Sequence, residues 1–207
     1  MKTVNCRLIV FAKAPIPGQV KTRLISLIGA TAAAALHEKL VFRCLTTAVD
    51  AGVGPIDLWC APTIRHPFFT RCSKEFRVEL HRQPDGDLGR RMGWAFRKTF
   101  RRASSALLIG TDCPSLTQGD LTKAAEFLVQ GIDAVIGPAE DGGYFLLGLR
   151  HYDPLLFTDI SWGTESVLDQ TRARLGRLGW RWHELAERWD VDRPEDMERL
   201  TLADYLK

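Results

Sequence analysis

Apolar positions along the chain recur with two different periods. Short runs rich in branched and aromatic residues have the length and composition of buried strands: Cys6–Ala12, Ile56–Ala61, Arg77–Arg82, Ala106–Gly110, Ala134–Gly137, Tyr144–Gly148 and a last run near Trp180–His183. Between them lie longer stretches in which apolar residues return every three or four positions. Thr31–Asp50 is the clearest of these, and the same spacing predicts helices over Leu88–Arg101, Gln118–Gln130, Glu165–Leu175 and Pro194–Tyr205. Strands alternating with helices predict an α/β fold, a mainly parallel twisted sheet with helices on both faces. No internal repeat, low-complexity linker or break in composition interrupts the pattern. The 207 residues, 45% of them hydrophobic, suffice for one buried core, so residues 1–207 are expected to form a single domain.

Charge and cysteine content narrow the classes. A formal charge of +3 is small for this length and argues against general nucleic-acid binding; the basic runs Arg90-Arg91 and Arg97–Arg102 read as the outer face of a helix. The early apolar run Leu8–Ala12 is too short for a signal sequence, and no later run approaches the roughly 18 apolar residues of a membrane span, so a cytoplasmic protein is expected. Five cysteines without a Cys-x-x-Cys pair or a histidine at zinc spacing indicate neither a disulfide framework nor a structural zinc site.

The chemistry gathers where strands end. The first strand runs into Lys13-Ala14-Pro15-Ile16-Pro17-Gly18-Gln19-Val20-Lys21-Thr22-Arg23, a Pro/Gly loop carrying three cations. Backbone N–H groups and positive charge at the carboxyl end of a strand suit a phosphorylated ligand, although the loop has neither the Walker A nor the Gly-x-Gly-x-x-Gly spacing. In Gly110-Thr111-Asp112-Cys113-Pro114, a carboxylate directly after a buried strand either hydrogen-bonds its own turn or binds a hard cation through oxygen. Glu140-Asp141-Gly142-Gly143 is either a simple hairpin or a place where backbone approaches a ligand with Asp141 facing it. In Asp190-Val191-Asp192, alternate residues of an extended segment point the same way and could converge on one cation, whereas Pro194, Glu195 and Asp196 are ordinary helix-start chemistry.

Taken together and in order, these segments, with Gly86-Asp87-Leu88-Gly89 and Trp162-Gly163-Thr164, resemble a bacterial family of GT-A-fold proteins provisionally labelled glycosyltransferases or nucleotide-diphospho-sugar transferases. The resemblance runs from about residue 5 to residue 200. Its wider superfamily includes the molybdenum-cofactor and phospholactate guanylyltransferases. It implies that Ala12, Lys13, Ala14, Gly18, Lys21, Arg23 and Gly89 hold a nucleotide and its phosphates. It further implies that Asp112 and Asp192 bind Mg²⁺ or Mn²⁺, and that Lys21, Asp112 and Asp141 serve catalysis. The implied partners are a nucleoside triphosphate or nucleotide sugar and a small-molecule acceptor. The sequence departs from the family at Arg193, where relatives usually carry Thr.

Two reactions fit. A single aspartate after the fourth strand and a lysine-rich first loop favour nucleotidyl transfer from a triphosphate to a phosphorylated or hydroxyl acceptor. Glycosyl transfer from a nucleotide sugar is the alternative, with a non-catalytic nucleotide-binding protein as a third reading. An edge strand or an apolar helix face could support a homodimer.

Overall fold

The computed structural model describes residues 5–201. Seven strands form one sheet: β1 (Cys6–Lys13), β2 (Ile56–Ala61), β3 (Glu79–Arg82), β4 (Ser105–Ile109), β5 (Ala134–Pro138), β6 (Tyr144–Leu149) and β7 (Trp182–Glu184). Their spatial order is β3-β2-β1-β4-β6-β5-β7. β1 runs parallel to β2 and β4, β2 to β3 and β5 to β7, while β6 is antiparallel to both its neighbours, β4 and β5. The expected mainly parallel sheet is thus present, with one reversed strand inserted by the β5–β6 hairpin.

Seven helices accompany the sheet: α1 (Ile25–Ile28), α2 (Ala30–Ala51), α3 (Pro67–Phe76), α4 (Leu88–Thr99), α5 (Gln118–Val129), α6 (Val167–Leu178) and α7 (Asp196–Thr201). Because successive strand residues face opposite sides, β1 divides its apolar residues between two cores. Leu8, Val10 and Ala12 join one built with α2, α3 and α5, including Leu45, Phe69 and Leu121. Ile9 joins the other, with Met92 and Phe96 of α4 and Leu175 of α6. Helices therefore cover both faces, as the pattern predicted.

Helix α3 was not anticipated. Only Phe68, Phe69 and Cys72 of its ten residues are buried, so its apolar signal is thin, while Pro67 at its first turn reads as a loop residue in isolation. The predicted last helix, Pro194–Tyr205, begins at Asp196, and its residues 202–205 lie outside the described residues. Among the described residues, no helix is long and apolar enough to cross a membrane.

A third, smaller cluster decides where the chain's late acidic segment lies. Val191 and Leu200 are buried against Leu24, Leu36 and Leu40, which draws the Asp190–Asp192 stretch across the amino-terminal part of α2 and beside the loop that follows β1.

Candidate active site

The carboxyl ends of β1, β2 and β4 meet in one cleft. The loop after β1 opens it. Lys21 has a left-handed backbone (φ 48°, ψ 41°) at the start of a short 3₁₀ turn, Thr22–Leu24. This conformation is rare for a residue with a side chain. Here it directs the lysine stem inward: the side chain is 2% exposed, and its ammonium donates to the Val191 carbonyl at 2.5 Å, to Asp192 Oδ1 at 3.3 Å and to Asp112 Oδ1. Arg23 reaches Asp192 Oδ2 at 3.3 Å from the solvent side.

Asp112 is fixed by its neighbours rather than by its own turn. Its carbonyl accepts from Val191 N at 2.9 Å, and Ser115 Oγ bridges to the Trp189 backbone at 3.3 Å, so the loop after β4 and the late acidic segment are stitched together. The Asp112 side chain is 47% exposed. Desolvation opposes its charge, but Lys21 outweighs that effect and holds the carboxyl below the usual carboxylate range. Burial likewise favours a neutral Lys21 amine, and Asp112 and Asp192 together reverse this, keeping the ammonium charged above the usual lysine range.

Asp190 is the contrasting member. Its Oδ1 is buried without a hydrogen-bond partner. Burial, then the like charges of Asp112 and Asp141, push its pKa up to about 7 despite Lys21. Asp192 and Arg193 both donate backbone N–H groups to the Asp196 carboxylate, at 2.8 and 2.7 Å. Asp196 thereby supplies the contact that a Thr at position 193 would have offered, which accounts for the tolerance of arginine there.

Two lobes open from this centre. One, of about 540 Å³, is lined by Lys13, Lys21, Arg23 and Arg91, with Asp112 and Asp192 at its floor. The other, of about 920 Å³, is lined by Glu140, Asp141, Glu165, Asp190, Asp192 and Asp196, opposed by Arg23 and Arg193, with Tyr144 and Trp162 in its wall. Arg23, Leu88 and Asp192 belong to both. In the acidic lobe, Asp141 accepts from Gly143 N at 2.9 Å, the tight turn of the β5–β6 hairpin. The hairpin is thus real, and it also brings Asp141 to the cleft. Gly142 (φ +82°) lies so close to the 162–165 loop that a Cβ there would meet Glu165 O at 2.2 Å. Glycine is required by both its backbone angle and this approach.

The predicted residues divide accordingly. Ala12, Lys13, Lys21, Arg23, Asp112 and Asp192 line the basic lobe, and Asp141 lines the acidic one. Ala14 lines an adjoining recess that shares Lys13, Gln19 and Gln83 with the basic lobe. Gly18 (φ +82°) is an exposed turn residue. Gly89, expected near phosphate, is buried: a Cβ there would meet Trp162 Nε1 at 2.4 Å and Phe157 O at 2.7 Å, so the structure uses it for close packing of α4.

Two residues of the basic lobe carried no sequence signal of this kind. His37 sits in the apolar stripe of α2, donates from Nε2 to the Lys13 carbonyl at 3.0 Å, and leaves Nδ1 buried and unpartnered, 4.0 Å from Asp112 Oδ1. Burial lowers its pKa, which favours this neutral tautomer. Gln83 donates its amide N–H groups to the Trp59 and Ala12 carbonyls, at 2.8 and 3.3 Å, which fixes the floor of the lobe between β1 and β2.

A different trio, Asp57, Glu79 and His81, brings its ligand atoms within 4.8 Å of one another. It lies at the amino-terminal end of β2 and β3, away from the cleft. Arg7 grips Asp57 with two hydrogen bonds of 2.9 and 2.5 Å, and Arg102 grips Glu79 with two of 3.0 and 2.9 Å. With its charge answered by arginines, this trio fits a structural ion-pair network better than a cation site. In the cleft, by contrast, the orphaned Asp190 Oδ1 and the pair Asp112 and Asp192 are oxygen donors of the kind a hard divalent ion takes.

Comparison with known proteins places this geometry. The profile of a family described as an uncharacterized protein conserved in bacteria (DUF2064) matches residues 44–164. No curated protein matches the chain. A crystal structure from Desulfovibrio desulfuricans G20, provisionally named a nucleotide-diphospho-sugar transferase, is 31% identical over 94% of this chain and 85% of its own, with a TM-score of 0.86. CMP:2-keto-3-deoxy-manno-octonic acid synthetase complexed with CTP is 13% identical, covers 98% of this chain and 100% of its own, and has a TM-score of 0.62. Glucosyl-3-phosphoglycerate synthase of Mycobacterium tuberculosis, in complex with Mn²⁺, UDP and glucosyl-3-phosphoglycerate, is 10% identical over 99% of this chain and 78% of its own, with a TM-score of 0.58. The fold is that of the nucleotide-diphospho-sugar transferases, the GT-A-like fold.

Proposed function

Because this chain belongs to the DUF2064 family of bacterial proteins, we propose that residues 1–207 form one nucleotide-dependent transferase domain whose donor and acceptor occupy the two lobes of the cleft. The observation that carries the reading is the meeting of a four-cation lobe with the Asp112, Asp190 and Asp192 carboxylates at one sheet edge. Lys13, Arg23 and Arg91 would hold the donor's phosphates, with the adjoining recess around Ala14 and Gln83 receiving its base. Asp112 and Asp192 would hold Mg²⁺ or Mn²⁺, which when bound supplies electrostatic stabilisation of the phosphate charge that develops in transfer.

Two reactions share this donor site. The cation-rich lobe supports nucleotidyl transfer, in which a triphosphate and a leaving pyrophosphate need neutralising. The second lobe qualifies the acceptor: six carboxylates against two arginines disfavour a phosphorylated molecule and favour a hydroxyl or amine, with Tyr144 and Trp162 offering ring faces. That same charge supports the second reading, glycosyl transfer from a nucleotide sugar, with Asp141 positioned to orient the acceptor. The CTP-bound and UDP-bound neighbours match one reading each.

Calorimetric titration with GTP, CTP, UDP-glucose and GDP-mannose, each with and without Mg²⁺ or Mn²⁺, tests the proposal. Metal-dependent binding of a triphosphate favours nucleotidyl transfer, and preference for a nucleotide sugar favours glycosyl transfer. Absence of metal-dependent binding by all four sinks the transferase assignment.

A further inference from the structure

A lysine ammonium has three protons to donate. In Lys21 all three are in use, on the Val191 carbonyl, Asp192 Oδ1 and Asp112 Oδ1. The side chain borders the basic lobe yet is 2% exposed, so it has no free N–H to present to an entering phosphate. The carboxylates that engage it are the two assigned above to the divalent cation. One ammonium and one divalent cation therefore have claims on a single pair of ligands, and like charges at that spacing repel strongly in a partly buried site.

We propose that Lys21 is a resident counter-ion of the metal-free protein, which must yield Asp112 and Asp192 before a divalent cation binds and only then becomes available to the nucleotide's phosphates. The inference rests on the metal site proposed above. The left-handed backbone pins the Lys21 Cα, so the exchange falls to the flexible four-carbon stem, and the basic lobe is where the stem can swing. Evicting the ammonium is costly while that lobe holds no anion. Metal alone should consequently bind weakly, and a nucleotide that receives the ammonium should tighten it. By linkage, the metal should tighten the nucleotide by the same factor.

The decisive experiment measures Mn²⁺ binding to the full chain without nucleotide, from the electron paramagnetic resonance signal of the free ion. Lys21→Met leaves Asp112, Asp190 and Asp192 without their counter-ion and should bind Mn²⁺ at least about tenfold more tightly than wild type, since ligand charge sets affinity at such sites. Lys21→Arg, which keeps the charge, should stay near wild type. Equal or weaker binding by Lys21→Met overturns the proposal. Asp112→Asn separates the two levels. If it abolishes Mn²⁺ binding while Lys21→Met fails to strengthen it, only the counter-ion role falls; if it leaves binding intact, the metal site itself is misplaced and both fall. Should Lys21→Met not fold, acetic anhydride labelling of the wild-type protein gives an independent answer. Mn²⁺ should raise acetylation of Lys21 several-fold relative to Lys39 and Lys74, and unchanged labelling counts against the exchange.

Discussion

The two lobes of the cleft share Arg23, Leu88 and Asp192, yet they differ in charge and in the architecture that builds them. The basic lobe is framed by the parallel half of the sheet, where the ends of β1, β2 and β4 and the floor set by Gln83 and His37 hold its cations in register. The acidic lobe is framed by the β5–β6 hairpin, the 162–165 loop packed on Gly142, and the late acidic segment. The first is a rigid rim suited to phosphates whatever base or sugar they carry. The second is assembled from loops, which is where specificity can vary without disturbing the fold. The contrast suggests that the donor class is set by the shared fold and the acceptor by what is particular to this chain.

The strongest way to break the comparison is at the boundary. Asp112→Asn should lower kcat by at least about 1,000-fold, the scale expected when a group stabilising transition-state charge is lost, while circular dichroism and cooperative melting stay native. Near-wild-type turnover would remove Asp112 from the chemistry and leave the two lobes without a common centre.

A paired experiment sharpens it. Lys13 is exposed in the basic lobe, and Lys13→Ala should raise the donor KM about tenfold with a smaller change in kcat, as expected for uniform ground-state binding. Asp141→Asn, in the acidic lobe, should do the reverse for the donor, leaving its KM within about twofold and cutting turnover by about 10–100-fold. If both substitutions change the same parameter, the donor and acceptor assignments are not separable.

A control lies outside the cleft. Arg7 and Asp57 form a buried pair at the far end of the sheet, and although burial disfavours the charge, the hydrogen bonds from His81 and Arg7 hold the Asp57 pKa below the usual carboxylate range. A carboxylate with a lowered folded pKa stabilises the protein above its unfolded pKa of about 3.9 and loses that contribution as pH falls through the lower folded value. Asp57→Asn should cost about 3 kcal/mol at neutral pH, as one-sided removal from a buried pair does. Urea unfolding should show the difference from wild type shrinking below about pH 4, with kcat per folded molecule unchanged.

Much of the fold could be read before the structure because β1, β2, β4, β5 and β6 are buried almost throughout, and burial on both faces leaves a continuous apolar run. β3 and β7 are less buried edge strands with weaker signals, and α3 offers only three buried residues. In the site, Asp112 stood out because it follows a fully buried strand. Its convergence with Lys21 and Asp192 did not, because Lys21 and Asp192 are brought together across 171 positions by Val191 burying itself against Leu24, Leu36 and Leu40. His37 and Gln83 were silent for the opposite reason: a single polar residue in an apolar helix stripe or after an edge strand has many structural explanations. Only the carbonyls they hold reveal their place in the cleft floor.

The smallest expected effect tests whether the contrast between lobes operates through the solvent or only at contact. Arg23 is 63% exposed, whereas Lys21 is buried, so salt should screen the first and hardly reach the second. Raising ionic strength from about 0.05 to about 0.3 M shortens the Debye length from roughly 14 to 6 Å, below the span of a nucleotide's phosphates. The donor KM should then rise by about three- to fivefold through loss of long-range attraction, and an uncharged acceptor should bind as before. A cationic acceptor would instead weaken in parallel with the donor, because the carboxylates of its lobe are screened as well. A phosphorylated acceptor would bind more tightly as salt relieves its repulsion from those same carboxylates, so the direction in which acceptor KM moves reports the charge that the acidic lobe is built to receive.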